Sequence, residues 1–269
     1  MNDLTRTFRH VCLGMMLGFA ATSASAQFPD IDAVLQVDVL PGWREADGRH
    51  IAGLRLQLED GWKTYWRVPG EGGIPPQFDL SGSENISAMV PHLPKPKVYR
   101  DLNMISIGYG GSVVFPLEFR TLDADAPIQL RGHVRLGVCE AICIPVDVPL
   151  NVTLAAPGQP SPSISKALKQ APTRISAQPD CQITPIEDGF RLSLSMTVPA
   201  KAGEYPVIEP ANQAVWVATS KTWREGTELR AQADLYPPEN VPYVFDRSAL
   251  RVTVISETAA YELLGCVAR

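Results

Sequence analysis

The chain has 269 residues, of which 45% are hydrophobic and 20% are charged. This composition is typical of a globular protein with a substantial core, and the length suffices for one large or two ordinary domains. The formal net charge is −5, and no basic run is present to neutralise phosphates, which argues against a nucleic-acid partner.

The N-terminal segment has the features of an export signal. Arg6 and Arg9 precede an apolar run, and Ala24–Ala26 fits a small-residue cleavage site. We therefore predict a secretory signal peptide over residues 1–26 and a mature chain that begins at Gln27. The apolar run is too short for a membrane span and no later run is long enough. We expect a mature protein that does not span the membrane and that lies in a bacterial periplasm.

The first half of the chain alternates apolar and polar residues in short runs, which is typical of β-strands. The predicted strands are 33–39, 50–58, 112–119, 128–136 and 146–154. Asp-Gly and Gly-Gly turn signals separate several of them, and 24 prolines with 20 glycines leave little room for long helices. This pattern predicts a β-sandwich.

A second, smaller β-sandwich is predicted after a break in the pattern. The break contains a short helix, with Ser161 as its N-cap, Pro162 in its first turn and Pro172 as its stop. Alternation then resumes at 190–198, 213–219, 228–235 and 249–255. The predicted divisions are a first domain over 27–155, a linker with the helix over 156–172 and a second domain over 173–269.

Four cysteines remain in the predicted mature chain: Cys139, Cys143, Cys181 and Cys266. An even number in an oxidising compartment favours disulfides over a zinc site. Of the three possible pairings, the spacing favours 139–143 with 181–266. The second bridge closes a loop of roughly 80 residues, which the chain-entropy model values at about 4–5 kcal/mol. We predict that it is a structural disulfide of the second domain.

A Cys139–Cys143 disulfide would add little stability, because closing so short a loop stabilises the fold by only about 2 kcal/mol. Residues four apart in an extended strand are about 13 Å apart, whereas a disulfide needs Cα atoms within about 7 Å. The chain must therefore turn at residues 140–142, as at a hairpin tip. Strained and exposed disulfides are the labile and catalytic ones, so this geometry favours redox exchange.

Two other interpretations of the pair remain open. It could be a small structural disulfide, or it could bind a metal, with His133 nearby and with Met104 or His92 completing a copper(I) site. A Cys-x-x-x-Cys spacing with one distant histidine is a weak metal signal, so no metal is the leading prediction. No Cys-x-x-Cys motif or nucleophile–His–Asp set is evident either.

Five stretches with a family resemblance occur together. They are Asp60–Gly70 (DGWKTYWRVPG), Gly72–Pro75 (GGIP), Pro94–Pro96 (PKP), Gly108–Gly111 (GYGG) and Cys139–Pro145 (CEAICIP). This set resembles the N-terminal periplasmic domain of the DsbD family of thiol:disulfide interchange proteins, and within it the ScsB branch, which is associated with suppression of copper sensitivity. The resemblance covers residues 30–155 well and the second domain more loosely.

The resemblance implies an immunoglobulin-like sandwich for the first domain. Together with the second sandwich predicted from the alternation pattern, this gives an all-β chain of two immunoglobulin-like β-sandwich domains joined by a linker with a short helix. It also implies thiol–disulfide exchange, in which the pair takes electrons from a membrane-embedded thiol:disulfide transporter and passes them to thioredoxin-like periplasmic proteins. Carried over to this sequence, Cys143 attacks the partner and Cys139 resolves the mixed disulfide. No small-molecule cofactor is implied.

The resemblance further implies a set of side chains that line the redox site. They are Trp62, Tyr65, Trp66, Tyr99, Tyr109 and Pro145. Tyr99 belongs to a cap loop expected within Val98–Gly108. Ordinary strand packing is the alternative explanation for the aromatic residues of the GWKTYW stretch.

The glycine-rich stretch Gly70–Gly73 is not expected to bind phosphate. Pro75 and Pro76 follow it, so no helix can begin there to present its N-terminus. We expect a tight turn near the redox site.

Full-length members of the DsbD family continue into a multi-helix membrane domain and a thioredoxin-like domain. Neither occurs in these 269 residues, which is expected of a stand-alone form that works with a separately encoded transporter, or of a part of a longer protein. Two other functions remain open. One is a non-catalytic binding module in which both disulfides are structural, and the other is a copper(I)-handling protein.

Overall fold

The structure is a computed structural model that describes residues 30–101, 104–239 and 243–269. The predicted signal peptide and the start at Gln27 lie outside these residues. A short helix, α1 (Ile31–Val34), opens the described part. It includes Ala33 and Val34, which we expected in a strand. The Asp30 carboxylate accepts a hydrogen bond from the Asp32 amide and so caps a helical turn there.

Ten strands form the first body of the protein. They are β1 (Leu35–Arg44), β2 (Arg49–Leu58), β3 (Lys63–Gly70), β4 (Gln77–Asp79), β5 (Ile86–Pro91), β6 (Lys97–Asp101), β7 (Met104–Gly110), β8 (Ser112–Thr121), β9 (Ile128–Cys139) and β10 (Cys143–Leu154). One sheet has the order β1-β2-β8-β5, and the other has the order β10-β9-β3-β7-β6 with β4 also paired to β9.

The hydrophobic core of the first body fills the space between its two sheets. Alternate residues of β2 and β8 point inward, including Leu54, Leu56, Phe115 and Leu117, and Trp66 of β3 meets them from the other sheet; all five are buried. Because successive side chains of a strand point to opposite faces, the period-two pattern of the sequence places the core correctly.

A helix follows the first body at the predicted position. It is α2 (Pro162–Lys169), and it begins after Ser161, whose side chain makes no capping hydrogen bond. Its buried residue Ile164 packs on β2 at Gly53, where a Cβ atom would lie only 2.9 Å from the isoleucine Cγ1 atom. The lack of a side chain at Gly53 therefore makes room for the helix.

Ten further strands form the second body. They are β11 (Thr173–Arg174), β12 (Asp180–Ile186), β13 (Gly189–Thr197), β14 (Tyr205–Glu209), β15 (Trp216–Val217), β16 (Lys221–Glu225), β17 (Glu228–Tyr236), β18 (Arg251–Ile255), β19 (Ala260–Leu264) and β20 (Val267–Ala268). One sheet has the order β11-β19-β18-β14, and the other has β15-β17-β13-β12-β20 with β16 also on β17. Two sandwich-like bodies with a short helix between them confirm the predicted fold class.

One predicted strand of the second body is mostly wrong. Of residues 213–219, only those of β15 are extended and paired. Asn212 causes the difference, because its side-chain oxygen accepts from the Ala214 amide and its carbonyl accepts from the Val215 amide. Such local bonds by asparagine compete with the strand ladder.

The second body is closed by a disulfide between Cys181 and Cys266, whose Cα atoms are 5.8 Å apart. Both cysteines are buried in its core. β20 pairs in parallel with β12 next to the bridge, so the bridge holds the C-terminal strand against the first long strand of this body. Neither helix of the described residues is long and apolar enough to cross a membrane.

Candidate redox site

The second disulfide of the described residues lies at the tip of the β9–β10 hairpin. β9 ends at Cys139, β10 begins at Cys143, and the register places the two residues directly opposite each other. Their Cα atoms are 4.2 Å apart and their sulfurs are bonded. The sharp turn that the spacing requires at residues 140–142 is present.

The two sulfurs have different environments. Cys139 is 1% exposed, whereas Cys143 is exposed, as are its neighbours Ala141 and Ile142. Cys143 is therefore the cysteine of the pair that lies at the surface. An exposed cysteine bonded to a buried one suits stepwise disulfide exchange, because access decides which sulfur is attacked.

Strand β3 lies next to β9 and presents Tyr65 to the disulfide. Lys63 of β3 is paired with Cys139, and directly paired residues share a face of the sheet, as do residues two apart along a strand. Tyr65 thus lies on the same face as the cysteines, and its hydroxyl is 3.4 Å from the Cys143 Sγ atom. Burial raises the pKa of Tyr65, so the phenol stays protonated and can donate a hydrogen bond to the sulfur.

Residues 70–74, called here the glycine loop, lie against the same site. The carbonyl oxygen of Gly72 is 3.7 Å from the Cys143 Sγ atom, and a Cβ atom on Gly73 would collide with the Tyr65 ring. The Ile74 carbonyl accepts a hydrogen bond of 3.1 Å from the Gly137 amide, two residues before Cys139. The glycine-rich stretch is thus a turn near the disulfide, as predicted, and only glycines allow it to approach so closely.

The hairpin formed by β6 and β7, called here the cap hairpin, contacts Lys63, the residue paired with Cys139. The ammonium of Lys63 lies 5.1 Å from the centroid of the Tyr99 ring and 2.9 Å from an Asp101 carboxylate oxygen. Burial, aided by the charge of Asp101, raises the pKa of Tyr99. This hairpin occupies the segment in which we expected a cap loop; its tip, residues 102–103, lies outside the described residues.

Comparison with known families identifies the body that carries this disulfide. Residues 32–155 match the family model described as "Thiol:disulfide interchange protein DsbD, N-terminal". This part of the chain belongs to the DsbD N-terminal domain family. The match contains Cys139, Cys143 and Tyr65, so the resemblance seen in the sequence motifs is confirmed over the first body.

A solved structure extends the similarity of fold to the second body. The protein is similar to the N-terminal periplasmic domain of ScsB from Proteus mirabilis, with a TM-score of 0.67 and 23% sequence identity. The alignment covers 90% of this chain and 97% of that one. Both bodies therefore have counterparts in the ScsB domain. A comparison with curated protein sequences gives no match.

The structure separates the expected lining residues of this DsbD N-terminal domain into two groups. Tyr65 and Tyr99 lie on the face that carries the disulfide. Pro145 is exposed and paired with Gly137 on that face. Trp62 is half-buried and packs against the core.

Trp66 and Tyr109, which the resemblance assigned to the redox site, lie instead in the core. Trp66 directly follows Tyr65 in β3 and so points to the opposite face, where it is fully buried. Tyr109 is paired with Thr64, also on the core face, and its hydroxyl donates to the Pro94 carbonyl at 2.7 Å. Strand packing is thus the better account of these two aromatic residues.

The candidate copper ligands make other contacts. His92 Nε2 is 3.0 Å from a Glu118 carboxylate oxygen, and His133 Nδ1 is 2.8 Å from one of Asp147. Met104 is exposed in β7. Within residues 30–101, 104–239 and 243–269, no group of three or more His, Cys, Asp or Glu side chains is arranged to hold a metal.

Sequence reasoning missed two contributors to the site. Lys63 is the register partner of Cys139, and Ile74 joins the glycine loop to β9. The alternation of KTYW would have placed Lys63 beside Tyr65 once the pairing of β3 with β9 was known. Ile74 lies in the GGIP stretch of the family resemblance, but the sequence does not show its contact with β9, which depends on how the loop folds back.

Proposed function

We propose that this DsbD N-terminal domain performs thiol–disulfide exchange in the periplasm. It relays electrons from a membrane-embedded thiol:disulfide transporter to thioredoxin-like proteins and so acts as a protein-disulfide reductase. The observation that carries the proposal is the exposed Cys143 bonded to the buried Cys139 within the matched domain. The predicted signal peptide and the periplasmic origin of the similar ScsB domain support the compartment.

The reaction begins with both cysteines reduced. The Cys143 thiolate attacks one sulfur of the partner's disulfide, which forms a mixed disulfide and releases the partner's other sulfur as a thiolate. The Cys139 thiol loses its proton to solvent and attacks the Cys143 sulfur, which frees the second thiolate of the partner. Two electrons have then moved to the partner, and the Cys139–Cys143 disulfide has formed.

The oxidised pair is reduced again by the reverse sequence. A thiolate of the membrane transporter attacks the exposed Cys143 sulfur, and Cys139 leaves as the thiolate. The second thiol of the transporter then resolves the mixed disulfide, so that the transporter becomes oxidised. Exposure of Cys143 serves both half-reactions, because each partner must reach the same sulfur.

The surroundings of Cys143 adjust its reactivity in opposite directions. The Tyr65 hydroxyl can donate a hydrogen bond to the thiolate and so favours the reactive form. The Gly72 carbonyl can accept one from the neutral thiol and so favours the unreactive form. The position of the glycine loop therefore affects how nucleophilic Cys143 is.

A trapping experiment tests this function. The reduced Cys139→Ala protein is mixed with a purified, oxidised thioredoxin-like periplasmic protein and analysed on a non-reducing gel. We expect a mixed disulfide on Cys143 that dithiothreitol removes, because the resolving thiol is missing. The matched Cys143→Ala variant should trap far less, because Cys139 is buried.

Two outcomes would contradict the proposal. Failure to trap, with Cys143 shown by alkylation to be a free thiol, would instead support a binding module. Stoichiometric copper(I) binding by the reduced protein that needs both thiols and blocks exchange would instead support a copper-handling protein.

A further inference from the structure

The second body contacts the strand that carries Tyr65. Arg67 lies two residues beyond Tyr65 in β3, and its guanidinium donates to both carboxylate oxygens of Glu209, at 2.8 and 2.9 Å. It also donates to the Thr253 hydroxyl at 3.0 Å and to a Glu262 oxygen at 3.1 Å. Glu209 and Thr253 are buried. This network fixes the second body on the strand that carries Tyr65.

The second body also contacts the glycine loop. The hydroxyl of Thr219, between β15 and β16, donates a hydrogen bond to the Glu71 carboxylate. Glu71 lies next to Gly72, whose carbonyl lies near the Cys143 sulfur. A cavity of about 620 Å³ lies between the two bodies beside this bond, with Gly70, Glu71, Trp216 and Thr219 in its walls. Within the first body, the Glu71 amide donates to the Ile105 carbonyl at 2.8 Å, and the Ile105 amide donates to the Glu71 carboxylate at 3.4 Å. The Glu71–Thr219 bond adds a tether from the second body at the edge of the cavity.

A third contact reaches the cap hairpin. The guanidinium of Arg100 in β6 lies 5.6 Å from the centroid of the Tyr205 ring in β14, a geometry that attracts a cation to an aromatic face. Tyr205 also packs against the core of the first body. The second body thus touches β3, the glycine loop and the cap hairpin.

We propose that the second body is a brace that holds the glycine loop against Cys143, with Glu71 and Thr219 as the positioning residues. This inference rests on the proposed thiol–disulfide exchange. The brace limits access to the Cys143 sulfur and keeps the Gly72 carbonyl close to it. Without the tether, only the bonds of the first body at Glu71 and Ile74 hold the loop, so the glycines between them move more and the thiol becomes more open to small reagents.

Thr219→Val is the variant that removes the tether. Valine has nearly the shape of threonine but cannot donate to Glu71, and the position is exposed. The rate of alkylation of reduced Cys143 by iodoacetamide is then measured across pH by mass spectrometry on the full chain. We expect a rise of about fivefold, the factor that corresponds to the loss of one typical hydrogen bond.

Two further variants show whether the effect comes from the tether. Thr219→Ser keeps the hydroxyl, so its Cys143 should be alkylated at the rate of the unaltered protein. Thr227→Val makes the same chemical change at an exposed position in the turn between β16 and β17 and should also have no effect. The rise in Thr219→Val should persist at high pH, where the thiol is fully ionised, because the change concerns access to the sulfur.

The brace is wrong if Cys143 is alkylated at the same rate in Thr219→Val and Thr219→Ser. It is also wrong if Thr227→Val raises the alkylation rate as much as Thr219→Val does. Failure of the brace can be distinguished from failure of exchange itself. If the unaltered protein reduces oxidised glutathione while the Thr219 variants do not differ, only the brace is overturned. If the Cys139–Cys143 pair of the unaltered protein does not exchange at all, both proposals are overturned.

Discussion

The hydroxyl of Tyr65 lies 3.4 Å from the sulfur of Cys143. The contact joins the middle of β3 to the tip of the β9–β10 hairpin, across a separation of 78 residues. It exists because Lys63 pairs with Cys139, which places Tyr65 on the disulfide face and Trp66 on the core face. One step of register would exchange the two aromatic side chains, so the pairing of β3 with β9 determines which ring meets the sulfur.

Tyr65→Phe should slow the attack of Cys143 on disulfides. The thiolate loses a hydrogen-bond donor, so less of it forms at neutral pH, and the midpoint of the rate–pH profile should move to higher pH. We expect exchange with oxidised glutathione to slow by about threefold to tenfold at neutral pH, as for the loss of one hydrogen bond. Stopped-flow measurement across pH gives both quantities.

Tyr109→Phe is the matched control for this prediction. It removes a tyrosine hydroxyl from the same sheet but on the core face, where the hydroxyl donates to Pro94. It should lower the free energy of unfolding without moving the rate–pH profile. Equal profiles for Tyr65→Phe and the unaltered protein would show that Tyr65 only fills space.

Arg67→Met should destabilise the protein, because it leaves the buried carboxylate of Glu209 without its bidentate partner. Arg67 is about one quarter exposed, so we expect a loss of about 2–4 kcal/mol, at or below the cost of breaking a fully buried pair. Urea unfolding measures this loss. Arg55→Met breaks the exposed pair with Asp38 and should cost less than about 1 kcal/mol. Similar losses in the two variants would contradict this account of the junction.

His50 should make stability depend on pH. It is fully buried, its Nε2–H donates to the Pro41 carbonyl at 2.7 Å, and Nδ1 has no partner among the described residues. Burial, helped by the charge of Arg44, lowers the pKa of His50 below its ordinary 6.5. The unfolded chain therefore binds a proton that the folded chain does not, and stability falls as pH drops below about 6.5.

His50→Gln keeps a donor for Pro41 and removes the titration. The free energy of unfolding should fall between about pH 7.5 and about pH 5.5 in the unaltered protein, and it should fall less in the variant. Urea unfolding at the two pH values provides the comparison. An equal fall in both proteins would assign the pH dependence to other groups.

Replacing both Cys181 and Cys266 by alanine should lower stability and leave exchange at Cys143 unchanged. The bridge closes a long loop within the core of the second body, and removal of such a bridge costs about 2–5 kcal/mol. The measurements are urea unfolding and the rate of exchange with oxidised glutathione. A changed exchange rate in a protein that is still folded would point to a redox role for this second pair.

Local sequence rules predicted much of the fold. Alternation in residues 50–58 and 112–119 fixed β2 and β8 because each has one buried face. Disulfide geometry alone required the turn between Cys139 and Cys143. At residues 213–219 alternation predicted a strand that is mostly absent. Asn212 bonds to nearby backbone groups there, and the apolar pattern does not show such bonds.

The arrangement around the sulfur depends on contacts between distant residues. From the sequence, Tyr65 and Trp66 were equal candidates for contact with the disulfide. Only the pairing of β3 with β9 shows that Tyr65 lies on the disulfide face and Trp66 on the core face. The contact between Arg67 and Glu209 spans 142 residues, and no local pattern predicts it. The side chains that meet the sulfur therefore depend on long-range pairing, whereas the strands follow from local alternation.

The most direct test of the account is the redox equilibrium of the purified protein against glutathione, with thiols counted by mass after alkylation. We expect the Cys139–Cys143 disulfide to be reduced at a moderate potential in the folded protein, while Cys181 and Cys266 remain bridged. If all four cysteines resist reduction until the protein unfolds, the Cys139–Cys143 bond is a structural disulfide, and thiol–disulfide exchange is not the function of this domain.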